Sequence, residues 1–209
     1  MRHKIIRLLG LALAGMFLAG CASAHKMTLD ANKKSLDKVT NPIGVFTLRT
    51  KNAVKPSYQP QVAQIQIVAG GTREANYFVV KEPWSRDNEY LEYLVSFDLP
   101  PGNYSVGNIF GLGEGFLIQG NFNYPVNAQF TLTNGVSYLG QVTMVNRKRV
   151  GDEKRSGSIF PLVDQAVTGF GDGTFDITVT DRSESDIPAF VRAYPLLKDV
   201  RLTKAIMQK

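Results

Sequence analysis

The sequence predicts an all-β protein, an antiparallel β-sandwich with one short helix near the C-terminus. Apolar and polar residues alternate with a period of two, most clearly over residues 89–99 and 174–180, as half-buried antiparallel strands require. Stretches rich in Gly, Pro and Asn separate such runs, which is typical of turns between short strands. A helical period appears only over residues 185–194. Together these observations favour two stacked antiparallel sheets.

The first half of the predicted domain contains two more strands. Residues 43–50 alternate apolar and polar side chains, and residues 62–68 do the same. In the second segment Ile65 and Ile67 share one face, and two glutamines share the other. The alternation predicts strands that bury one face and expose the other.

Residues 99–104, Leu-Pro-Pro-Gly-Asn-Tyr, predict a tight turn between two strands. Pro101 fixes φ near −65° and Gly102 accepts a positive φ, so a type II turn fits. Pairing Leu99 with Tyr104 keeps the apolar faces of the two strands together, which favours a hairpin. We therefore expect Gly102 to have a positive φ.

The same six residues resemble a turn found in prealbumin-like β-sandwich domains, including the carboxypeptidase regulatory-like modules. The resemblance extends over residues 43–181 in strand number and spacing. It implies a prealbumin-like or immunoglobulin-like sandwich, and it implies no particular activity because such scaffolds host many functions.

Asn134-Gly135 is typical of a two-residue hairpin, but that register would place apolar residues on opposite faces. A crossing between the two sheets fits better. It resembles the corner before the sixth strand of immunoglobulin-like sandwiches, with Tyr138 near the tyrosine-corner position. Residues 136–145 are then expected to form a central strand.

Residues 107–120 are rich in glycine and are predicted to form a loop at one end of the sandwich. A phosphate-binding loop would need a helix after the glycines, whereas Phe116 begins another apolar run. Loops on a rigid scaffold often bind partners. The candidate binding rim is therefore the aromatic set beside the glycines: Phe110, Phe116, Phe122 and Tyr124.

Residues 146–155 contain a run of charges that predicts a solvated hairpin tip around Gly151. The three consecutive basic residues from Arg147 to Arg149 leave open a contact with lipid phosphates or an acidic glycan.

The period changes to that of a helix over residues 185–194. Ser185 is the predicted N-cap, Phe190 and Tyr194 lie on one face, and Pro195 ends the helix. A single short helix of this kind is expected to pack on a sheet.

The first 20 residues combine three positive charges with an apolar run too short to span a bilayer. The run closes with Leu18-Ala19-Gly20-Cys21, which resembles the signal of bacterial lipoproteins. The resemblance implies cleavage between Gly20 and Cys21 and fatty acylation of Cys21. It also implies an outer-membrane location facing the periplasm, because Ala22 replaces the aspartate that retains such proteins at the inner membrane.

Three segments follow from these patterns. Residues 1–20 are the predicted signal peptide, and residues 21–41 are predicted to be a lipidated cysteine followed by a flexible polar tether. Residues 42–209 are the predicted sandwich domain with its short helix. We expect the protein to bind the membrane through the N-terminal lipid on Cys21.

The scarcity of His and Cys excludes several kinds of site. His3 lies in the signal, His25 lies close to the anchor, and Cys21 is the only cysteine. The predicted domain therefore lacks the residues of Ser-His-Asp and Cys-His catalysis and of ordinary zinc and copper sites. We expect no catalytic residue, no metal and no cofactor.

The net charge and the positions of the carboxylates limit the expected partners and activities further. The net charge is +6, and three of the positive charges lie in the signal, which leaves about +3. No basic stripe alternates with aromatics, so nucleic acid is not an expected partner. The preferred interpretation is a non-enzymatic, lipid-anchored sandwich that binds a protein or glycan partner of the cell envelope. The alternatives are a structural subunit of an envelope assembly and a cell-wall glycan hydrolase using two of the carboxylates Glu89, Glu92, Asp98 and Glu114.

Overall fold

A computed structural model describes residues 24–87, 89–114, 119–157 and 170–209. It shows an all-β sandwich with one short α-helix, as the sequence predicts. The predictions for Gly20, Cys21 and Phe116 concern residues outside these ranges.

Two sheets form the sandwich. Within the described ranges, sheet I has the strand order β1-β4-β3-β7-β8, and sheet II has the order β10-β9-β2-β6-β5 with β11 beside β9. The strands are β1 (Ala24–Lys26), β2 (Ile43–Asn52), β3 (Pro60–Ala69), β4 (Ala75–Val79), β5 (Ser85–Arg86), β6 (Leu91–Asp98), β7 (Gly102–Glu114), β8 (Gln119–Leu132), β9 (Val136–Lys148), β10 (Gly173–Thr180) and β11 (Leu202–Lys204).

Both sheets are mixed: most of the described strand pairs are antiparallel, as the sequence predicts, and three are parallel. β2 runs parallel to β9, β1 runs parallel to β4, and β11 runs parallel to β9. The chain changes sheets between β6 and β7 and again between β8 and β9. Because it re-enters sheet II from the end at which β2 starts, β9 lies alongside β2 in the same direction.

The main core lies between the sheets and contains the inward side chains that the period-two pattern indicates. Phe46 and Leu48 of β2 are fully buried, as are Ile65 and Ile67 of β3. Burial of this apolar area is the main stabilising contribution to the sandwich.

A second apolar cluster lies on the outer face of sheet II, under helix α1 (Ser183–Ala193). The predicted helix is confirmed, although it begins two residues earlier than expected. Its first turn is fixed by Asp181, whose carboxylate accepts a hydrogen bond from the Ser183 amide at 2.9 Å. Phe190 is fully buried, and the helix ends before Pro195. No helix in the described part of the chain is long and apolar enough to cross a membrane.

The predicted tether is folded onto the sandwich from residue 24 onward. Ala24–Lys26 pair with β4, and Leu29 is fully buried in the cluster under helix α1. The Leu29 amide donates a hydrogen bond to the Ser96 hydroxyl at 2.9 Å. The polar composition of the segment hid this docking, because only Met27, Thr28 and Leu29 are buried among residues 24–31.

The predicted hairpin at residues 99–104 is wrong. β6 and β7 belong to different sheets, and the φ of Gly102 is not in the positive range. The segment is a crossing, in which the Tyr104 hydroxyl donates a hydrogen bond to the Pro100 carbonyl at 2.9 Å. This is the geometry of a tyrosine corner. A crossing needs no tight turn, so the glycine has no need of a left-handed conformation.

The crossing at Asn134-Gly135 is confirmed, because β8 lies in sheet I and β9 in sheet II. Gly135 has a φ of 87°, which favours glycine. β9 is central, as predicted. Tyr138 is fully buried and donates a hydrogen bond at 2.7 Å to Asp186 of helix α1, so the tyrosine corner is at Tyr104 instead.

Candidate functional site

The glycine-rich stretch forms strands in its described part. β7 and β8 form an antiparallel pair that extends from Gly102 opposite Leu132 to Glu114 opposite Gln119. The loop prediction is therefore wrong for these residues. A Cβ on Gly111 would lie 2.1 Å from the Gln61 carbonyl oxygen and 2.4 Å from the Phe122 ring. A Cβ on Gly113 would lie 2.5 Å from the Phe170 ring. The glycines are there because aromatic rings of the core occupy their side-chain space.

The predicted rim residues are divided between the core and the surface. Phe122 is 2% exposed and packs on Phe175 with ring centroids 5.3 Å apart, so the prediction that it is an exposed anchor is wrong. Tyr124 is partly buried against the same core, and its hydroxyl lies 2.8 Å from the Thr174 hydroxyl. Phe110 points to the outer side of sheet I.

The outward side chains of β3, β7 and β8 form a surface of uniform chemistry on sheet I. Helix α1 covers sheet II only, and the outward side chains of β3, β7 and β8 belong to neither apolar cluster. We call this surface the amide face. Its amide side chains are Gln61, Gln64, Gln66, Asn103, Asn108, Asn121, Asn123 and Gln129, and its aromatic side chains are Phe110 and Tyr77 of the adjoining β4.

Gln66 lies at the centre of the amide face and is held at both ends. Its side-chain carbonyl oxygen accepts a hydrogen bond from the backbone N–H of Asn108 at 3.1 Å. Its side-chain NH2 group donates a hydrogen bond to the Tyr77 hydroxyl at 2.9 Å. Gly107 leaves room for this arrangement, since a Cβ there would lie 2.6 Å from the Gln66 oxygen. The Tyr77 hydroxyl accepts this bond, so its own hydrogen remains to be donated elsewhere.

Tyr77 and Phe110 form an aromatic pair over β3. Their ring centroids are 6.1 Å apart and their planes are inclined by 51°. Both side chains are partly buried, so part of their area remains accessible. Leu112, which is 37% exposed, follows Phe110 on the same face of β7. The pair supplies apolar area among the amides.

Two depressions lie at opposite ends of the amide face. One, of about 460 Å³, is lined by Gln64, Phe110, Asn121 and Asn123 among others. The other, of about 700 Å³, lies beyond Val68 and is lined by Ser105, Gln129 and Thr131 among others. Both volumes fall in the range of about 300–1,000 Å³ that small-molecule sites occupy.

The amide face carries no charge along its described length. The outward positions of residues 61–68, 103–112 and 121–131 contain amides, hydroxyls and apolar side chains, with no Asp, Glu, Lys or Arg. Outward positions of exposed strands ordinarily include charged residues. An uncharged face of this length provides donors and acceptors but no ion-pair partner.

Two of the carboxylates considered for a hydrolase are far apart. Glu92 and Asp98 are six residues apart on β6, which separates them by about 20 Å along the strand. Catalytic carboxylate pairs are about 5–9.5 Å apart. Glu89 pairs with Lys51 at 3.0 Å. Glu114 lies on β7, in the other sheet.

The pKa of the Glu92 carboxyl is raised above its ordinary value. Its partial burial raises the pKa, while Arg49, whose Nε lies 3.4 Å from the carboxylate, acts in the opposite direction. Asp186 contributes a smaller increase, but its own carboxylate accepts hydrogen bonds from Tyr138 and Ser185. Among the described residues, no group of three or more His, Cys, Asp or Glu side chains has a geometry that would hold a metal ion.

The basic run at the hairpin tip is largely engaged within the turn. Arg147 contacts Asp176 at 2.7 Å and forms two bonds to Glu153 at 2.7 and 2.8 Å. Arg149 donates to the Glu153 carbonyl at 3.1 Å. These contacts support the prediction of a solvated tip.

The sequence contains a signal for the amide face. Residues 121–131 alternate asparagine, glutamine and threonine with apolar residues, which predicts a strand with an uncharged outer face. The proximity of Tyr77 to Phe110 could not be predicted, because it depends on β4 and β7 lying on either side of β3. Comparison with protein-family models, curated proteins and solved structures finds no significant match to this chain.

Proposed function

We propose that this protein is a non-enzymatic binding module, anchored by a lipid on Cys21 to the periplasmic side of the outer membrane. Its amide face is the surface that binds a protein or glycan partner of the cell envelope. The observation that carries the proposal is the uncharged outer surface of β3, β7 and β8, which no described element covers, together with the Tyr77–Phe110 pair. Recognition on a preformed, rigid surface keeps the entropic cost of binding low.

The rigidity of the amide face supports binding. The Gln66 side chain is fixed by hydrogen bonds with the backbone N–H of Asn108 and the Tyr77 hydroxyl. The side-chain oxygen of Asn103 accepts a hydrogen bond from the Thr131 hydroxyl at 2.7 Å. Side chains that are already ordered lose less conformational entropy when a ligand arrives. The separation of Glu92 from Asp98, by contrast, gives no support to general acid–base hydrolysis by that pair.

The position of Ala24 supports the anchored arrangement. Ala24 pairs with Tyr77 at the edge of sheet I, and it lies three residues after Cys21. Three residues span at most about 11 Å. A lipid on Cys21 would therefore hold the β1 edge of sheet I close to the membrane surface.

A crosslinking experiment in intact cells tests the role of the amide face. A photoreactive residue replaces the exposed Asn123 in the full chain, and we expect a discrete crosslinked adduct. Introducing Gln64→Lys in the same chain should abolish the adduct, because an unpaired charge disrupts an uncharged contact. The matched control places the photoreactive residue at Thr178, exposed on the outer side of β10, where no adduct is expected.

Two results contradict the proposal. One is the absence of any adduct at position 123 when the chain is correctly processed and folded. The other is an adduct that forms equally well with Gln64→Lys, since the partner would then contact the site without using the amide face.

A further inference from the structure

We propose that the ligand of the amide face is an extended, uncharged oligosaccharide segment, with one sugar ring seated on Tyr77 and Phe110. This inference rests on the proposed function and adds the chemical class of the partner. It is argued from the chemistry, the length and the charge of the amide face.

The chemistry of the amide face matches that of a sugar. A sugar ring presents hydroxyl groups at its rim, each both donor and acceptor, and C–H groups on its flat faces. Gln64 and Asn123 present amides with two donors and an acceptor beside the ring of Phe110. The Tyr77 hydroxyl has a hydrogen left to donate, since it accepts the bond from Gln66. Aromatic rings offer apolar area to the C–H face of a sugar while the amides bond its hydroxyls.

The length of the amide face favours a chain over a single sugar. The outward positions of β7 run from Asn103 to Leu112, which spans about 30 Å at about 3.3 Å per residue. The two depressions of about 460 and 700 Å³ lie toward its opposite ends, with Gln66 between them. A ligand that fills both must be extended along the strands.

The absence of charge decides against several other partners. Phosphate and carboxylate groups are bound by Arg and Lys, and the amide face has neither. A charged ligand would lose hydration there without gaining an ion-pair partner. A protein partner would be expected to meet a more apolar centre, because the cores of protein interfaces are rich in aromatic residues and Met. Here the apolar side chains, the rings of Tyr77 and Phe110 and the aliphatic Val79 and Leu112, are dispersed among amides.

Binding is measured with the purified full chain in detergent micelles, by calorimetry, against three uncharged hexasaccharides: chitohexaose, cellohexaose and maltohexaose. We expect at least one to bind, and the corresponding disaccharide to bind at least tenfold more weakly because it cannot reach both depressions. The deacetylated, positively charged form of chitohexaose should not bind better than the uncharged form.

Variants locate the binding surface. Phe110→Ala should weaken hexasaccharide binding at least tenfold, whereas Trp84→Ala should leave it unchanged. Trp84 is the matched control because it is an aromatic residue, 43% exposed, on the segment before β5 of sheet II. Asn121→Lys changes an exposed side chain and should also weaken binding while the fold is retained.

The outcomes separate this inference from the proposed function. If no hexasaccharide binds at millimolar concentration, or if Phe110→Ala and Asn121→Lys leave binding intact, the oligosaccharide inference is overturned. An adduct with a protein at position 123 that Gln64→Lys abolishes, together with no hexasaccharide binding, would keep the proposed function and replace the ligand by a protein. Loss of both the adduct and the oligosaccharide binding would overturn both proposals.

Discussion

Phe110 and Phe122 lie on neighbouring strands, one residue out of register, and therefore face opposite sides of sheet I. Truncation of each side chain should change the free energy of unfolding by very different amounts. Phe122 is 2% exposed and lies between Phe170 and Phe175, with ring centroids 6.0 and 5.3 Å away. Replacing a buried Phe by Ala costs about 3–5 kcal/mol. The neighbouring Gly111 has no side chain with which to fill the cavity. We therefore expect Phe122→Ala to lower the free energy of unfolding by about 4 kcal/mol.

The matched variant is Phe110→Ala, which removes the same side chain from the outer face. It loses the contact with Tyr77 and part of its buried area, which amounts to about 1 kcal/mol. Urea unfolding followed by circular dichroism measures the free energy of unfolding of both variants. In thermal unfolding, Phe122→Ala should lower Tm by about 8–16 °C for a chain of this size. A loss below about 1 kcal/mol for Phe122→Ala, or equal losses for both variants, would refute the assignment of the two faces.

Three further predictions concern separate parts of the chain. Gly111→Ala should destabilise the fold by about 1–3 kcal/mol in urea unfolding, because the new Cβ meets the Gln61 carbonyl oxygen; an unchanged midpoint would contradict the packing described. Glu153 bonds Arg147, which lowers its pKa from 4.5 to about 2, so its contribution to stability is present above pH 4.5 and is lost as the pH falls towards 2. Glu153→Gln should therefore be less stable than wild type at pH 7, with the difference narrowing below pH 4.5; a constant difference would argue against the ion pair. Cys21→Ser should abolish labelling by radioactive fatty acid and release the protein from the membrane fraction; persistent labelling would exclude Cys21 as the anchor.

The fold class followed from the sequence because period-two alternation predicts strands, although the alternation did not show that the outward Val45 and Leu94 are also buried, under helix α1. Residues 89–99 and 174–180 alternate cleanly and form β6 and β10. Helix α1 was predicted by the same reasoning, because Phe190 and Tyr194 repeat at helical spacing and Pro195 stops the backbone hydrogen bonds. Local patterns of this kind specify single elements well.

Connections between elements were harder to predict, because they depend on which sheet each strand joins. Residues 99–104 satisfy the chemistry of a type II turn, yet they cross between the sheets. Nothing local distinguishes the two, since the Tyr104–Pro100 hydrogen bond that fixes the crossing also brings the chain ends close. At Asn134-Gly135 the crossing was predictable, because the hairpin register put the apolar faces in conflict.

The glycine-rich stretch was misinterpreted for a physical reason. Glycine usually marks loops, but Gly111 and Gly113 lie in β7 because rings from elsewhere in the chain occupy their side-chain space. Phe170, which packs over Gly113, is distant in sequence. Aromatic residues near glycines were therefore assigned to a rim, whereas Phe122 fills the space that the glycines leave.

The order of strands in sheet I connects the proposed anchor to the proposed ligand surface. β1 lies at one edge of sheet I, and its first residue, Ala24, pairs with Tyr77. With a lipid on Cys21, at most about 11 Å separate the acylated residue from that edge. The amide face begins at Tyr77 and continues across β3 and β7, so a bound chain would lie beside the membrane rather than at the end of a long tether. A tether of twenty residues would permit every orientation, whereas three residues leave the sandwich little freedom to turn away. The folding of residues 24–31 onto the sandwich therefore restricts both the distance and the orientation at which a partner could be bound.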